Sequence, residues 1–405
     1  MLQTIIELIE KNKVMDAFLI LEKQKDLPYY HTVRGLMREL VSDMNNAMVD
    51  VKNELHQNNP IIDISYGRLL AKLGYSDQAY QVLIDCPKNI KRQTHFYPLS
   101  LSILHSHYEA PVMEKMDANY FRDSLNYSYF LRGYKKKLIV NKVDNLLENL
   151  SLFDLPSGEV LSDLSNRLNE QLIHIRGWLS PSEASILYYY AKEVSKKNLI
   201  IELGSFYGRS TVSLCLGSVE GNNSKIIAID PHIGIDSYAS SDSYGELVHN
   251  LERFGLENNV SILREESLKA ASIHSRKNIG LIFIDALHDY ENVKADFNSW
   301  EKQVVDEGYI LFHDAMLSGV NKFLIEILND DNLQYQALGF RDSILVLQKI
   351  KPNLQLNEKI VGLLKEYGQY HKQWVKDDRE SIIWRIKNLL KKPVPSRVAD
   401  PPTNS

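Results

Sequence analysis

The chain has almost no cysteine: Cys86 and Cys215 are the only two in 405 residues, and neither sits in a CxxC or Cys/His spacing. That excludes a disulfide framework or a thiolate zinc site and suits a reducing compartment. Long apolar runs are missing as well, and no stretch reaches the ~18 uninterrupted apolar residues of a membrane-spanning helix. The opening "MLQTIIELIEKNKVMDAFLI" carries charges inside its apolar stretch and has no small-residue cleavage site, so it does not read as a signal peptide. The cytoplasm is the expected location. Nor is there a strong excess of one charge. A net charge of −5 leaves no broad basic footprint for nucleic acid. What remains is 44% hydrophobic and 24% charged, the make-up of a globular protein, over a length that predicts two or three domains.

Residues 1–110 read as helical, with apolar residues recurring every three or four positions in "LQTIIELIEK", "VMDAFLILEK", "VRGLMRELVSD" and "GRLLAKLGYSDQAYQVL". Ala17, Ala47 and Ala79 are spaced 30 and 32 apart, and Gly35 and Gly67 each precede an alanine by twelve. Small residues at a fixed offset let paired helices approach closely. The pattern resembles tetratricopeptide repeats, whose period is about 34 residues. An irregular helical bundle fits equally well, because the usual large aromatic positions are mostly missing. Either arrangement offers surface for a protein partner rather than chemistry. Residues 111–175 form a helical connector.

From residue 176 the texture changes. "GWLSPSEASILYYYAKEVSKK" predicts a helix capped by Ser180, with Pro181 at its first position and Glu183 three residues after the cap. Then the short apolar strands "NLIIELG", "KIIAID", "VSILR", "IGLIFID" and "GYILFHD" alternate with helices starting near Ser210, Tyr244, Ser267, Tyr290 and Ser318. This alternation predicts βαβ units around a buried parallel sheet, an α/β doubly wound domain over residues 176–350. "YQALGF" and "SILVLQK" predict a hairpin that closes one edge. Residues 351–405 are expected to hold two more helices and a disordered tail. In the second helix, "SIIWRIKNLLKK" (381–392), Ile382, Ile383, Ile386, Leu389 and Leu390 share one face among basic residues. Such a stripe suits an interfacial membrane anchor or docking onto the protein itself or a second subunit.

The first strand runs into "IELGSFYGRSTVSL", where Gly204 and Gly208 allow a sharp turn and close approach to a ligand. The spacing is neither GxGxxG nor a P-loop, which argues against a pyrophosphate cradle. A ligand without phosphates but with an amino-acid head fits better, its cationic end facing Glu202 and its ribose and carboxylate on the turn. Asp230, at the end of the second strand, can accept ribose hydroxyls or cap a turn before Pro231. Glu266 and Ser267 can meet an adenine edge or simply open a helix.

The run "GWLSPSEASILYYYAKEV…LIIELGSFYGRSTVSL…IIAIDP…LIFIDALHDYENVKADFNSWEKQVVDEGYILFHDA" resembles the class I S-adenosylmethionine-dependent methyltransferases. Within them it is similar to the sugar O-methyltransferase group that includes macrocin O-methyltransferase. The resemblance covers about residues 176–349. It implies a Rossmann-like seven-stranded sheet whose last strand is antiparallel. It also implies S-adenosylmethionine as cofactor, lined by Glu202, Gly204, Ser205, Gly208, Asp230, Glu266 and Ser267. The family often has glycine where Glu265 stands.

The fourth and fifth strands deliver Asp285, His313 and Asp314 to one rim, with His288 in the turn after Asp285. These residues can cap turns and helices, or they can converge on a crevice. Methyl transfer needs a hydroxyl held in line and partly deprotonated, and histidine is the commonest base for that task. The resemblance implies acids on a magnesium or manganese ion and a histidine base. The resulting expectation is His288 as base, with Asp285, Asp314 and His313 around the metal. His313 departs from relatives that carry a carboxylate there, and imidazole suits magnesium poorly. The segment "PHIGIDSYASSDSYGEL" is expected either as a lid with His232 and Tyr238 facing the pocket or as a solvated loop. The leading expectation is an O-methyltransferase of a sugar or glycosylated small molecule, with a homo-oligomer as one expected assembly. A phenolic or catechol-like acceptor and an inactive scaffold are the alternatives.

Overall fold

The computed structural model describes residues 2–41, 43–57, 59–73, 155–156, 158–172, 174–233, 243–273, 278–330, 332–341 and 343–391, with the isolated positions 78 and 82. The chain divides into two compact units. Among the described residues one takes in 2–73 and 375–391, and the other 155–374.

The first unit is helical: α1 (Leu2–Glu10), α2 (Val14–Leu21), α3 (Tyr30–Leu40), α4 (Met44–Lys52) and α5 (Pro60–Lys72). The expected close approach of small residues is present once. A Cβ on Gly35 would lie 2.8 Å from the Ala47 carbonyl oxygen, so α3 and α4 pack backbone to backbone there. Ala79 lies outside the described residues. Ile5, Leu21, Leu36, Val51 and Leu69 form a core that also takes in Ile382, Ile386 and Leu389. The apolar stripe near the C-terminus is therefore spent on the protein's own helices and is not available as a membrane anchor. No described helix is long and apolar enough to cross a membrane.

The tail departs from the expected two helices. Leu354–Lys391 is a single helix, which becomes α13 in the numbering used here. No proline interrupts it, and its two glycines, Gly362 and Gly368, cost only about 1 kcal/mol each in a helix interior.

The second unit opens with α6 (Gly158–Leu172) and α7 (Pro181–Glu193). Ser180 accepts from the Glu183 amide at 3.0 Å, and the Glu183 carboxylate accepts from the Ser180 amide at 2.8 Å, the capping box expected from the sequence. There follow β1 (Leu199–Leu203), α8 (Arg209–Glu220), β2 (Ile226–Ile229), α9 (Ser243–Phe254), β3 (Val260–Leu263), α10 (Ser267–Ile273), β4 (Ile279–Ile284), α11 (Tyr290–Trp300), β5 (Val304–Phe312), α12 (Ser318–Leu328), β6 (Gln336–Arg341) and β7 (Ile344–Gln348).

Among the described residues these strands form one seven-stranded sheet, ordered β3-β2-β1-β4-β5-β7-β6. The pairings from β3 through β5 are parallel, and β7 runs antiparallel to both β5 and β6. The resemblance implied this Rossmann-like arrangement. The second strand of the closing hairpin, β7, lies inside, between β5 and the edge strand β6. All six residues of β4 are buried, because helices cover both faces of the sheet. Ile282, Ile284 and Phe312 face Phe297, Phe323 and Leu364. Leu281, Phe283 and Leu311 belong to the opposite layer, with Leu187, Val212 and Leu247.

In the helical unit, fully buried Arg68 and Arg385 both pair with fully buried Glu39, Arg385 at 3.3 Å. Removing the shared carboxylate strands two buried guanidinium groups. Glu39→Ala is expected to destabilise the helical unit by about 3–5 kcal/mol in urea unfolding followed by circular dichroism, whereas a joint apolar replacement of all three residues costs far less.

Candidate active site

Strand register builds the site. Leu203 pairs with Ile229 and with Ile284, and Ile284 pairs with Phe312. The next residues, Gly204, Asp230, Asp285 and His313, therefore leave the sheet at one level. Backbone hydrogen bonds hold that level: Gly204 N to Ile229 O at 2.9 Å, Asp285 N to Leu203 O at 2.9 Å and His313 N to Ile284 O at 3.1 Å. Strands β1 and β4 flank the point where strand order reverses, the usual position of a ligand crevice in such sheets.

Gly204 has φ +88°, and a Cβ there would lie 2.2 Å from the Asp285 carbonyl oxygen. Gly208 has φ +87° and caps α8. Gly204 requires glycine for conformation and for contact, Gly208 for its left-handed backbone. Glu202, one residue upstream, is fully buried. Thr211 Oγ1 donates to its Oε2 at 2.6 Å, while Oε1 has no hydrogen-bond partner. Burial pushes its carboxyl up to about 8, and the charges of Asp285 and Asp230 add to this against the hydroxyls of Ser210 and Thr211. A buried carboxylate oxygen without a donor is costly unless a ligand supplies one. Glu202 and the two glycines thus fit the cationic, amino-acid end of S-adenosylmethionine.

Asp230 is engaged chiefly by backbone. Its Oδ2 accepts from the amides of Ser205 (3.1 Å) and Phe206 (2.9 Å), and its Oδ1 from the amide of His232 (2.8 Å). Capping and clamping of the turn are both in place, leaving limited capacity for ribose hydroxyls. His232 is buried, with Nδ1 2.9 Å from Ser243 Oγ and Nε2 3.4 Å from Ser205 Oγ. It staples the turn through both ring nitrogens, and Tyr238 lies outside the described residues. Three non-glycine residues on these rim loops have left-handed backbones: Phe206 (φ 46°), His232 (φ 51°) and Asp314 (φ 52°). Such strain gathers at functional sites.

Beyond β3, where adenine contacts are expected, Glu266 is exposed, and Ser267 Oγ accepts from the Trp300 indole at 3.0 Å. Ser267 also donates toward Asp296, whose carboxyl burial raises to about 6. The Ser267 hydroxyl is therefore largely occupied within the protein. Two residues not singled out in the sequence border the turn. Trp178, 39% exposed, stacks on Phe206 with centroids 5.2 Å apart, and Arg176 donates to the Tyr207 hydroxyl at 2.7 Å.

The rim beyond β4 and β5 holds an alternating cluster of acids and imidazoles. His288 Nε2 lies 3.3 Å from Asp285 Oδ1 and 3.5 Å from Asp314 Oδ2. His313 Nδ1 lies 2.9 Å from Asp285 Oδ1 and 3.7 Å from Asp314 Oδ2. On its far side, His313 Nε2 is 3.5 Å from Glu183 Oε2, an ion-pair contact rather than a hydrogen bond. Burial opposes charging His313, but the carboxylates of Asp285, Asp314 and Glu183 outweigh it and raise its pKa well above the ordinary value. Asp285 is held at about 2, with His313 and His288 overcoming the cost of burial. His288 is raised as well: the Asp285 hydrogen bond and the charges of Asp314 and Asp285 outweigh burial and the charge of His313. Asp289 caps α11 through the Asn292 amide at 3.1 Å.

Asp285, His288 and His313 each offer an atom within 4.8 Å of the others, as a metal site would. Of the expected ligand set, Asp285 and His313 are among these three, and the third is His288, the expected base, rather than Asp314.

Gly204→Ala places a methyl group against the Asp285 carbonyl and forces a left-handed alanine, a strain of about 1–3 kcal/mol before the clash is counted. A lowered melting temperature and loss of S-adenosylhomocysteine binding are expected together, by scanning fluorimetry with and without ligand.

Residues 201–315 match the family model described as a methyltransferase domain. An uncharacterized protein of Sinorhizobium fredii is 30% identical over 125 residues, 29% of this chain and 13% of that protein, so the chain spans only a small part of its relative's length. Among solved structures, an O-methyltransferase from Bacillus cereus in complex with SAH is 18% identical, covering 52% of this chain and 97% of that one, with a TM-score of 0.35. A methyltransferase from Geobacter sulfurreducens is 16% identical, covering 52% and 96%, with a TM-score of 0.34. The family match begins within β1 and ends just past β5, so what is similar to a methyltransferase domain includes Gly204, Asp230, Asp285, His288, His313 and Asp314.

Proposed function

We propose that the chain is an S-adenosylmethionine-dependent O-methyltransferase acting on a hydroxyl of a sugar or glycosylated small molecule, with His288 as general base. One observation carries this reading: a glycine turn beside a buried carboxylate with one oxygen lacking a hydrogen-bond partner shares its rim with a half-buried histidine held between two aspartates. Glu202, Gly204, Ser205, Gly208 and Asp230 would hold the cofactor, with Glu266 and Ser267 beside its adenine. The cofactor supplies an electrophilic methyl group on a sulfonium.

The chain's own residues prepare the nucleophile. Asp285 and Asp314 orient the His288 ring and stabilise the positive charge it gains on taking the hydroxyl proton. The side chain of His288 is 36% exposed, so an acceptor can reach it. Ile233 and Leu287, 70% and 41% exposed, follow β2 and β4 and, with Trp178, offer apolar surface to an acceptor's carbon skeleton. The stacked Trp178–Phe206 pair favours a second reading, a phenolic acceptor, because a flat ring stacks well on it. We assign the helical unit a role in recruiting a protein partner.

Incubation with labelled S-adenosylmethionine and parallel panels of glycosides and phenols tests the reading. Methylation of glycosides is expected, with His288→Ala lowering kcat by about 10²–10⁴-fold. Labelling of phenols alone would transfer the activity to the second reading, and no labelling of either panel would count against methyl transfer to hydroxyls.

The base must be neutral to accept a proton, and its carboxylate partners raise its pKa above the ordinary 6.5. The rate is therefore expected to rise with pH through a value above 6.5. Asp314→Asn removes one raising charge and should move that limb to lower pH in a kcat–pH profile.

A further inference from the structure

We infer that Gly319 is a positioning residue of the acid–base site: its missing side chain seats the first turn of α12 on the backbone of His288–Tyr290 and so sets the distance from the base to Asp314. The inference rests on the reading of His288 as base. Gly204 and Gly208 have left-handed backbones, but Gly319 is not among the residues with positive φ. It is the second residue of α12, where alanine is the better helix former. Its reason is contact. A Cβ there would lie 2.2 Å from the His288 carbonyl oxygen, 2.6 Å from the Tyr290 amide nitrogen and 2.7 Å from the Asp289 carbonyl carbon. All three are backbone atoms, so no side-chain rotation relieves the clash.

The contact is one end of a longer seat. Gly319, Lys322, Phe323 and Glu326 recur at three- and four-residue steps, which puts them on one face of α12. That face takes the Tyr290 side chain. The Phe323 ring packs edge-on against Tyr290 with centroids 6.5 Å apart, and Lys322 Nζ lies 3.7 Å from the Tyr290 ring centre. The Tyr290 hydroxyl donates to Glu326, and Lys294 on α11 donates to Glu326 at 2.7 Å.

The same end of α12 holds the other loop of the site. Leu317 N donates to the Asp314 carbonyl at 2.8 Å. Asn321 Nδ2 donates to the Ala315 carbonyl at 3.0 Å and to the Leu364 carbonyl at 2.8 Å. One helical turn therefore touches the backbone of both loops whose side chains meet at His288 Nε2 and Asp314 Oδ2, 3.5 Å apart. Val320, Phe323 and Leu324 anchor α12 in the core, whereas Leu287 and Asp289 are exposed on either side of His288. A side chain at position 319 is thus accommodated by movement of the His288 turn rather than of the helix.

Gly319→Ala adds one methyl group at this contact. In crystals of the full chain, His288 of the variant is expected to be displaced by about 1 Å relative to Asp314, enough to lower kcat by about 10²-fold. Affinity for S-adenosylhomocysteine, measured by calorimetry, should stay unchanged, because the turn after β1 is not touched. Gly362→Ala, at a helical glycine with nothing within 4 Å of a Cβ, is the control and should match the unaltered protein in every reading. Should Gly319→Ala not fold, Asn321→Ser, whose shorter side chain cannot span the Ala315 and Leu364 carbonyls, is expected to give the same split of kcat from cofactor affinity.

An unchanged kcat, or His288 in its original place, would overturn the inference and leave Gly319 a packing residue. Parallel loss of kcat and S-adenosylhomocysteine affinity would overturn it too, as a general loosening of the domain. A like fall in kcat in Gly362→Ala would do the same. Failure of the methyltransferase reading shows separately, as an unaltered protein without turnover, and the displacement of His288 is read without turnover.

Discussion

The rim depends on one close contact, the Asp285 carbonyl against the α-carbon of Gly204. A side chain at that point would push the ends of β1 and β4 apart at the place where strand order reverses. With glycine there, Gly204, Asp230, Asp285 and His313 leave neighbouring strands at a common level, and the loops beyond them share a crevice. Left-handed Phe206, His232 and Asp314 then aim the loops, each at a conformational cost that the surrounding hydrogen bonds offset.

Charge is distributed unevenly along this rim. Toward β5, three carboxylates and two imidazoles lie in alternation, so each buried charge has an opposite neighbour. Toward β1, Glu202 has one hydroxyl on one oxygen and nothing on the other. The first arrangement is complete within the protein and suits holding or moving a proton. The second is incomplete and suits receiving a cation. In the proposed function, this asymmetry separates a cofactor end from an acid–base end on a single sheet edge.

Much of the sheet was legible in the sequence because buried parallel strands appear as short apolar runs, each ended by a polar residue or a glycine. The same punctuation pointed to Gly204, Asp230, Asp285 and His313. What was not legible was partnership across the fold. Glu183 and His313 stand far apart in sequence, and only the packing of α7 beside β5 and the β6–β7 turn reveals the pair. Spacing records that His313 is a histidine and not what faces each of its nitrogens. Asp230 likewise gave no sign that three backbone amides occupy it. In the tail, helical periodicity was plain, but nothing local told that Arg385 pairs with Glu39, a contact closed only by tertiary packing.

The central claim is that the turn after β1 binds an adenosyl amino acid with its cationic end at Glu202. Calorimetric titration with S-adenosylhomocysteine at pH 7, repeated in two buffers of different ionisation enthalpy, tests it most directly. The Glu202 carboxyl, with its pKa pushed up to about 8, is mostly protonated before binding, and a cation beside it drives the proton off. Saturable binding with proton release, and loss of that release in Glu202→Gln, is the predicted result. Absence of saturable binding in both buffers would contradict the account.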